Sequence, residues 1–324
     1  METTEIKKTE IVKARTVWDC MSEGLSASFE QMGATLRGLW PLIIIFSLVA
    51  PVLVMLWSKL FYGQFFDGTF DAAFVGHDVK ACLRLLGPTG LLLLIGFMDV
   101  LLTGGIVWRQ RQLTAMGFIP RTPAWREWRG IGRMTWRIVV IVILAIVLTI
   151  VLCLISVGMT MGLVAIVKHW ALSTAWSVTL SIVMFLLYAI LTCYLVTVLF
   201  HMVLPYVYED VPLRRSIASA SWKLRTVSGT FGVVFVASIA AFFFGLIFAL
   251  PTVVIQIVDL LAMKATVMGD DGTLPSSMSA WRYIAMALTF FGSFVCNVVA
   301  MYPILYRWGA LKSREPKKEI EEIS

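Results

Sequence analysis

Residues 122–167 read TPAWREWRGIGRMTWRIVVIVILAIVLTIVLCLISVGMTMGLVAIV, a charged amphipathic segment running straight into a long apolar one. Its second part, 138–167, carries no charged residue. About 20 apolar residues cross a bilayer core roughly 30 Å thick, so this part reads as a membrane span. The first part is amphipathic. Arg126, Arg129, Arg133 and Arg137 recur at spacings of three and four, with Trp125, Trp128 and Trp136 on the adjacent side. Pro123 suits a first helical turn, where its missing N–H costs little. Indole rings favour the membrane interface and arginines reach anionic headgroups. The pattern predicts an amphipathic elbow helix on the membrane surface, with the four arginines binding lipid headgroups.

The same grammar occurs three times along the chain. An amphipathic stretch enters an apolar run before Trp40, Ile138 and Phe231, at intervals of 98 and 93 residues. The first stripe is Trp18, Met21, Leu25, Phe29, Met32 and Leu36; the third is Leu213, Ile217, Ala220, Leu224 and Val227. Runs 171–208, 226–258 and 283–306 also lack formal charge, and Leu39–Trp57 and Leu85–Trp108 complete a set of six. The expected fold is all-α and polytopic: six transmembrane helices as three hairpins, each preceded by an elbow. The hairpins cover about 16–108, 122–207 and 212–306, between polar tails at 1–15 and 307–324. In the fifth span Ala237, Ala241, Gly245 and Ala249 form a column of small residues at i+4. Packing holds helices together in lipid, so that column is expected against another span.

Composition agrees. Apolar residues make up 59% and charged residues 15%, against roughly 45–50% and 25% in soluble domains. The net charge of +7 is explained by topology. With both termini on one side, that side holds 21 Lys/Arg and the other 6. The positive-inside rule then places both termini in the cytoplasm. A nucleic-acid partner is therefore not expected. The five cysteines, at 20, 82, 153, 193 and 296, show no CxxC spacing and imply no disulfide framework.

One stretch is familiar. Tyr208-Glu209-Asp210-Val211-Pro212-Leu213-Arg214-Arg215-Ser216-Ile217, with Ser221-Trp222-Lys223-Leu224 and Gly229-Thr230-Phe231, resembles the elbow-plus-span segment of bacterial six-helix membrane families. These include the membrane domain attached to some glycerophosphodiester phosphodiesterases and the YciC-like inner-membrane proteins. The resemblance covers roughly 205–250 and implies a bacterial inner-membrane protein. It carries no hydrolase residue to any position here.

Candidate chemistry is sparse. Asp99 lies nine residues before Trp108, near mid-membrane in the second span. Ionisable groups at such depth usually face a bundle interior or a wet cavity. Asp99 reads either as a proton- or cation-binding carboxylate or as a hydrogen-bonded tie between helices. Asn297 in the sixth span and His201 in the fourth are its expected partners in a polar site. His77 and Asp78 with Asp67 and Asp71 match no zinc or calcium spacing, so no metal site is expected. No phosphate-binding loop, cofactor motif or catalytic constellation stands out; intramembrane serines such as Ser156, Ser181 and Ser238 have no base beside them in sequence. The expected function is non-enzymatic, in envelope or lipid-associated assembly or as an accessory subunit, with anionic lipids and a protein as partners. A small transporter or channel using Asp99 is the alternative, and an intramembrane lipid-modifying enzyme a third.

Overall fold

Uninterrupted apolar sequence becomes uninterrupted helix. The computed structural model describes residues 11–66, 69, 79–120, 122–169, 174–219, 224–269, 275 and 277–314. The elements are α1 (Val17–Phe66), α2 (Val79–Met116), a 3-10 turn (Ala124–Glu127), α3 (Trp128–His169), α4 (Thr174–Tyr208), α5 (Leu213–Ser219), α6 (Leu224–Val267) and α7 (Met278–Lys312). Among the described residues there is no strand. All but α5 and the 3-10 turn are long and apolar enough to cross a membrane. This is an all-α, multi-pass membrane protein. The loop residues Asp67, Asp71, His77 and Asp78 lie outside the described residues.

The elbows differ from the sequence pattern in their boundaries. α1 is a single helix of 50 residues, with Pro41 and Pro51 inside it. At 1.5 Å per residue it is about 75 Å long, more than twice the bilayer core. The first stripe and the first span are therefore one rod. The second elbow is likewise continuous with its span: α3 starts at Trp128, after a 3-10 turn in which Arg126 N–H bonds Pro123 C=O at 3.1 Å. Only at the third does a separate short helix, α5, stand before the span. Nothing between Trp128 and Ile138 breaks a helix, because a change from polar to apolar sequence leaves the backbone ladder intact.

Each helix packs on the next in chain order, α1 on α2, α2 on α3, α3 on α4, α4 on α6 and α6 on α7, and α7 closes the ring on α1. The three sequence hairpins are thus neighbours in space. α7 also touches α2 and α4, so it is the inner element. Close approach depends on small residues. A Cβ at Gly24 of α1 would lie 2.5 Å from Pro303 Cα of α7, and one at Gly292 of α7 would overlap Phe248 of α6. Phe46 meets Phe290 edge to face at 5.2 Å, and the Thr252 and Thr289 hydroxyls lie 2.8 Å apart. Such interhelical bonds are worth about 0.6 kcal/mol on average in lipid. The α3–α4 hairpin is peripheral, presenting Leu154, Met161 and Ile190 outward. Outward apolar side chains cost nothing in a bilayer, whose tails are as apolar as leucine.

Burial is densest at the end of the bundle that bears the basic connections. Tyr302 to Ala310 are all buried there. Residues 11–15 fold back against the same place. Ile11 C=O lies against Gly309, Arg314 Nη2 donates to Arg15 C=O at 2.9 Å, and the Arg15 guanidinium sits 4.9 Å from the Tyr306 ring centroid. The boundaries at 15 and 307 accordingly fall within packed structure, and α7 runs on to Lys312.

Candidate functional site: a polar clasp beside an exposed Trp–Arg face

The basic end is built from the last turns of α2, α4 and α7. Each contributes a short polar run just after its apolar stretch: Trp108-Arg109-Gln110-Arg111, Tyr208-Glu209-Asp210 and Arg307-Trp308. Polar side chains gather here where the apolar run of each helix ends. Arg109, Gln110, Tyr208, Arg307 and Trp308 are nonetheless buried, Trp108, Arg111 and Glu209 are half-buried, and Asp210 stands at the exposed edge.

Tyr208-Glu209-Asp210 is the central clasp. The buried Tyr208 hydroxyl donates to Gln110 Oε1 at 2.8 Å. Glu209 accepts from Trp308 Nε1 at 2.8 Å and pairs with Lys312 at 3.2 Å. Asp210 pairs with Arg111 on α2 and with Arg137 on α3, the latter at 2.8 Å. Asp210 has a left-handed backbone, φ +58°, which turns the chain out of α4 and aims its carboxylate back at both arginines. Asp and Asn tolerate that region better than most residues. The Arg111 hydrogen bond holds the Asp210 carboxyl below its ordinary range. Three consecutive residues thus tie α4 to α2, α3 and α7.

A second centre lies at the 3-10 turn. The Arg109 side chain is completely buried and pairs with Glu127 at 3.2 Å. It also donates to Gln112 Oε1 at 2.9 Å and to the carbonyls of Gly38, Pro120 and Thr122. Glu127 accepts in addition from Trp108 Nε1 at 2.6 Å, from Gln112 and from Thr122. Removing a guanidinium from water costs several kcal/mol. The ion pair and hydrogen bonds from both terminal nitrogens offset that cost here, while the buried Nε has no partner among the described residues. Two glycines make room. A Cβ at Gly38 would lie 2.8 Å from Arg109 Nε, and one at Gly130 would strike the Trp108 ring.

The outer surface of the same segment has the opposite character. Arg126, Arg129 and Arg133 are exposed, as are Trp125, Trp128 and Trp136. Trp125 meets Trp40 of α1 edge to face at 6.0 Å. Arg137, the fourth arginine of the series, is instead turned to Asp210 and the Tyr206 carbonyl, and lies over the Tyr206 ring at 4.9 Å. Helical spacing put the four on one side. It did not distinguish the one whose reach falls on α4.

Of the three residues expected to form a polar site within the spans, two meet. Asn297 Nδ2 donates to Asp99 Oδ1 at 3.4 Å, linking α2 to α7. His201 is engaged elsewhere: its Nδ1 lies 3.4 Å from Thr230 Oγ1, which accepts from Arg307 Nε at 3.2 Å. In the small-residue column Ala237 is buried, and Ala241, Gly245 and Ala249 are half-buried. A Cβ at Gly245 would lie 3.5 Å from Cys296 Sγ of α7.

Comparison with protein-family models, curated proteins and solved structures found no match. The chemistry therefore rests on geometry alone. Glu127, Glu209 and Asp210 each face a cation already held in place. A carboxylate so engaged fixes structure and is poorly placed to accept a substrate proton. No group of three or more His, Cys, Asp or Glu that could hold a metal occurs among the described residues. Sequence reading missed Arg109, Gln110, Arg111, Glu127 and Glu209. The available signal was the repeat itself. Tyr208 and Gln110 are 98 residues apart, and both Arg111–Asp210 and Trp308–Glu209 are 99 apart, close to the interval between hairpins.

Proposed function

We propose that this protein is a non-enzymatic component of a bacterial inner membrane, with both ends of the chain in the cytoplasm. It serves in envelope or lipid-associated assembly or as an accessory subunit. The observation carrying this reading is the exposed Arg126–Arg133 face with its three tryptophans, set on a rigid, internally paired base. Tryptophans at the headgroup level and arginines beyond them suit a surface that engages anionic lipid. The count of 21 Lys/Arg against 6 supports the orientation. Kinship with the six-helix families named above belongs to the same proposal. The test is purification in native lipid, with identification of the lipid, protein or small molecule that stays bound. A protein that emerges alone, and whose stability is indifferent to lipid composition, would overturn the reading.

The Asp99–Asn297 contact favours a second reading, a transporter or channel using a mid-membrane carboxylate. Asp99→Asn keeps the shape and removes the charge. Transport abolished in a variant that still folds supports this reading; full transport overturns it.

A further inference from the structure

The acid within the Trp–Arg segment points the wrong way to neutralise it. Glu127 lies between Arg126 and Trp128 in sequence, yet its carboxylate faces inward to Arg109, Trp108, Gln112 and Thr122. Asp210, whose carboxyl also feels Arg133, is held between Arg111 and Arg137. Among the described residues Arg126, Arg129 and Arg133 make no ion pair. They stand on the side of the segment opposite the buried Ile131, Met134 and Thr135. We propose that Arg126, Arg129 and Arg133, bedded by Trp125, Trp128 and Trp136, form a site for the phosphate of an anionic phospholipid such as phosphatidylglycerol. Arg137 is not part of it.

The inference rests on the lipid-associated reading and sharpens it to a ligand class. Three guanidiniums in a row attract a net negative headgroup. A zwitterionic headgroup presents its own ammonium, which they repel, so its phosphate gains little. Arginine offers planar paired donors to phosphate oxygens, and exposed indoles lie well against glycerol and upper acyl carbons. The glutamate turned inward has a double consequence. It stabilises the buried Arg109 and keeps the segment's own carboxylate off the outer face, so that the nearest acid to Arg133 is Asp210, already engaged by Arg111 and Arg137.

The test titrates short-chain phosphatidylglycerol, then phosphatidylcholine, into the full chain in detergent, with binding read by calorimetry. Each arginine near an anionic lipid contributes about fivefold in affinity, so R126Q/R129Q/R133Q is expected to weaken phosphatidylglycerol binding about a hundredfold. Phosphatidylcholine binding should barely move. R214Q/R215Q removes two exposed arginines from α5 and is expected to leave the preference intact. An equal loss in that control would overturn the site in favour of bulk charge. A preference that survives the triple change overturns the site while the lipid-associated reading stands. Absence of any preference in the unmodified protein overturns both. Should the triple variant not fold, salt decides on the unmodified protein. Raising ionic strength from 0.1 to 1 M shortens the screening length from about 10 to about 3 Å. The preference must then collapse, and a salt-insensitive preference overturns the proposal.

Discussion

The Tyr208 hydroxyl donates to Gln110 Oε1 at 2.8 Å, in full burial, across 98 positions of sequence. It joins equivalent places in consecutive hairpins, each at the point where an even-numbered span leaves the apolar run. The amide has little other support, since Gln110 Nε2 has no hydrogen-bond partner among the described residues. Tyr208→Phe leaves a buried acceptor unpaired and is expected to cost about 1–3 kcal/mol. Adding Gln110→Leu removes the orphaned group and should recover part of that loss. Unfolding in detergent measures both; a double variant no better than the sum of the singles would contradict the assignment.

Glu127→Gln tests the second centre. It strands the fully buried Arg109 guanidinium without its counter-charge. Breaking such a pair from one side costs about 3–5 kcal/mol, whereas replacing both partners with apolar residues can be near neutral. The single variant should fall below Glu127→Leu/Arg109→Met in melting temperature. The reverse order would show that the pair matters less than the hydrogen bonds around it.

Two neighbouring glycines on α3 should respond with opposite signs. A methyl at Gly130 runs into the Trp108 ring, while one at Gly132 meets nothing within 4 Å. Gly130→Ala is expected to destabilise by about 1–3 kcal/mol through overpacking. Gly132→Ala should stabilise by up to about 1 kcal/mol, because alanine surrenders less backbone entropy in a helix. Parallel melts of the two variants check this, and equal effects would mean that α3 does not pack on α2 as described.

The Asp210 bridge sets a pH dependence. Its folded carboxyl is held below the ordinary value of 3.8, chiefly by the Arg111 hydrogen bond. A lowered folded value contributes stability that is complete above 3.8 and disappears as pH falls through the folded value. Melting temperature should therefore drop on acidification below about pH 4. Asp210→Asn, which tolerates the left-handed backbone, should begin lower at neutral pH and lack this component of the drop. Asp210 is nearly half exposed, so solvent screening keeps the effect modest. Identical acid profiles for the two proteins would count against the bridge.

The spans were legible because a bilayer demands long apolar runs, and α3 could be read from residues 138–167 alone. Helix starts were less so. Trp18 to Leu36 reads as an elbow by its polarity, yet polarity does not end a helix, and α1 runs through it. Asp99 and Asn297 could be paired from depth alone, since two polar groups at one level of an apolar bundle seek each other. His201 could not be excluded that way, because its nearer partner, Thr230, is an ordinary residue in a span. The clasp was least legible. Arg109 and Arg111 look like topological charges, and only the fold shows that they are spent on Glu127 and Asp210. Arg137 failed for the same reason, its spacing matching the exposed arginines while its partner sat on another helix.

Residues 11–15, resting on Gly309 and reached by Arg314, place the two ends of the described chain in one packed unit. Synthesis runs from the amino end, so α1 enters the membrane before its main neighbour exists. Five more spans must follow before the surface formed by Gly24 and its flanking residues finds Pro303. Until then the half-made bundle presents an open seam to the bilayer. The order of manufacture makes α7 a keystone: a chain halted before it would hold every earlier hairpin and still lack a closed interior. Quality control that inspects this protein after insertion has one simple thing to read, whether that seam has shut.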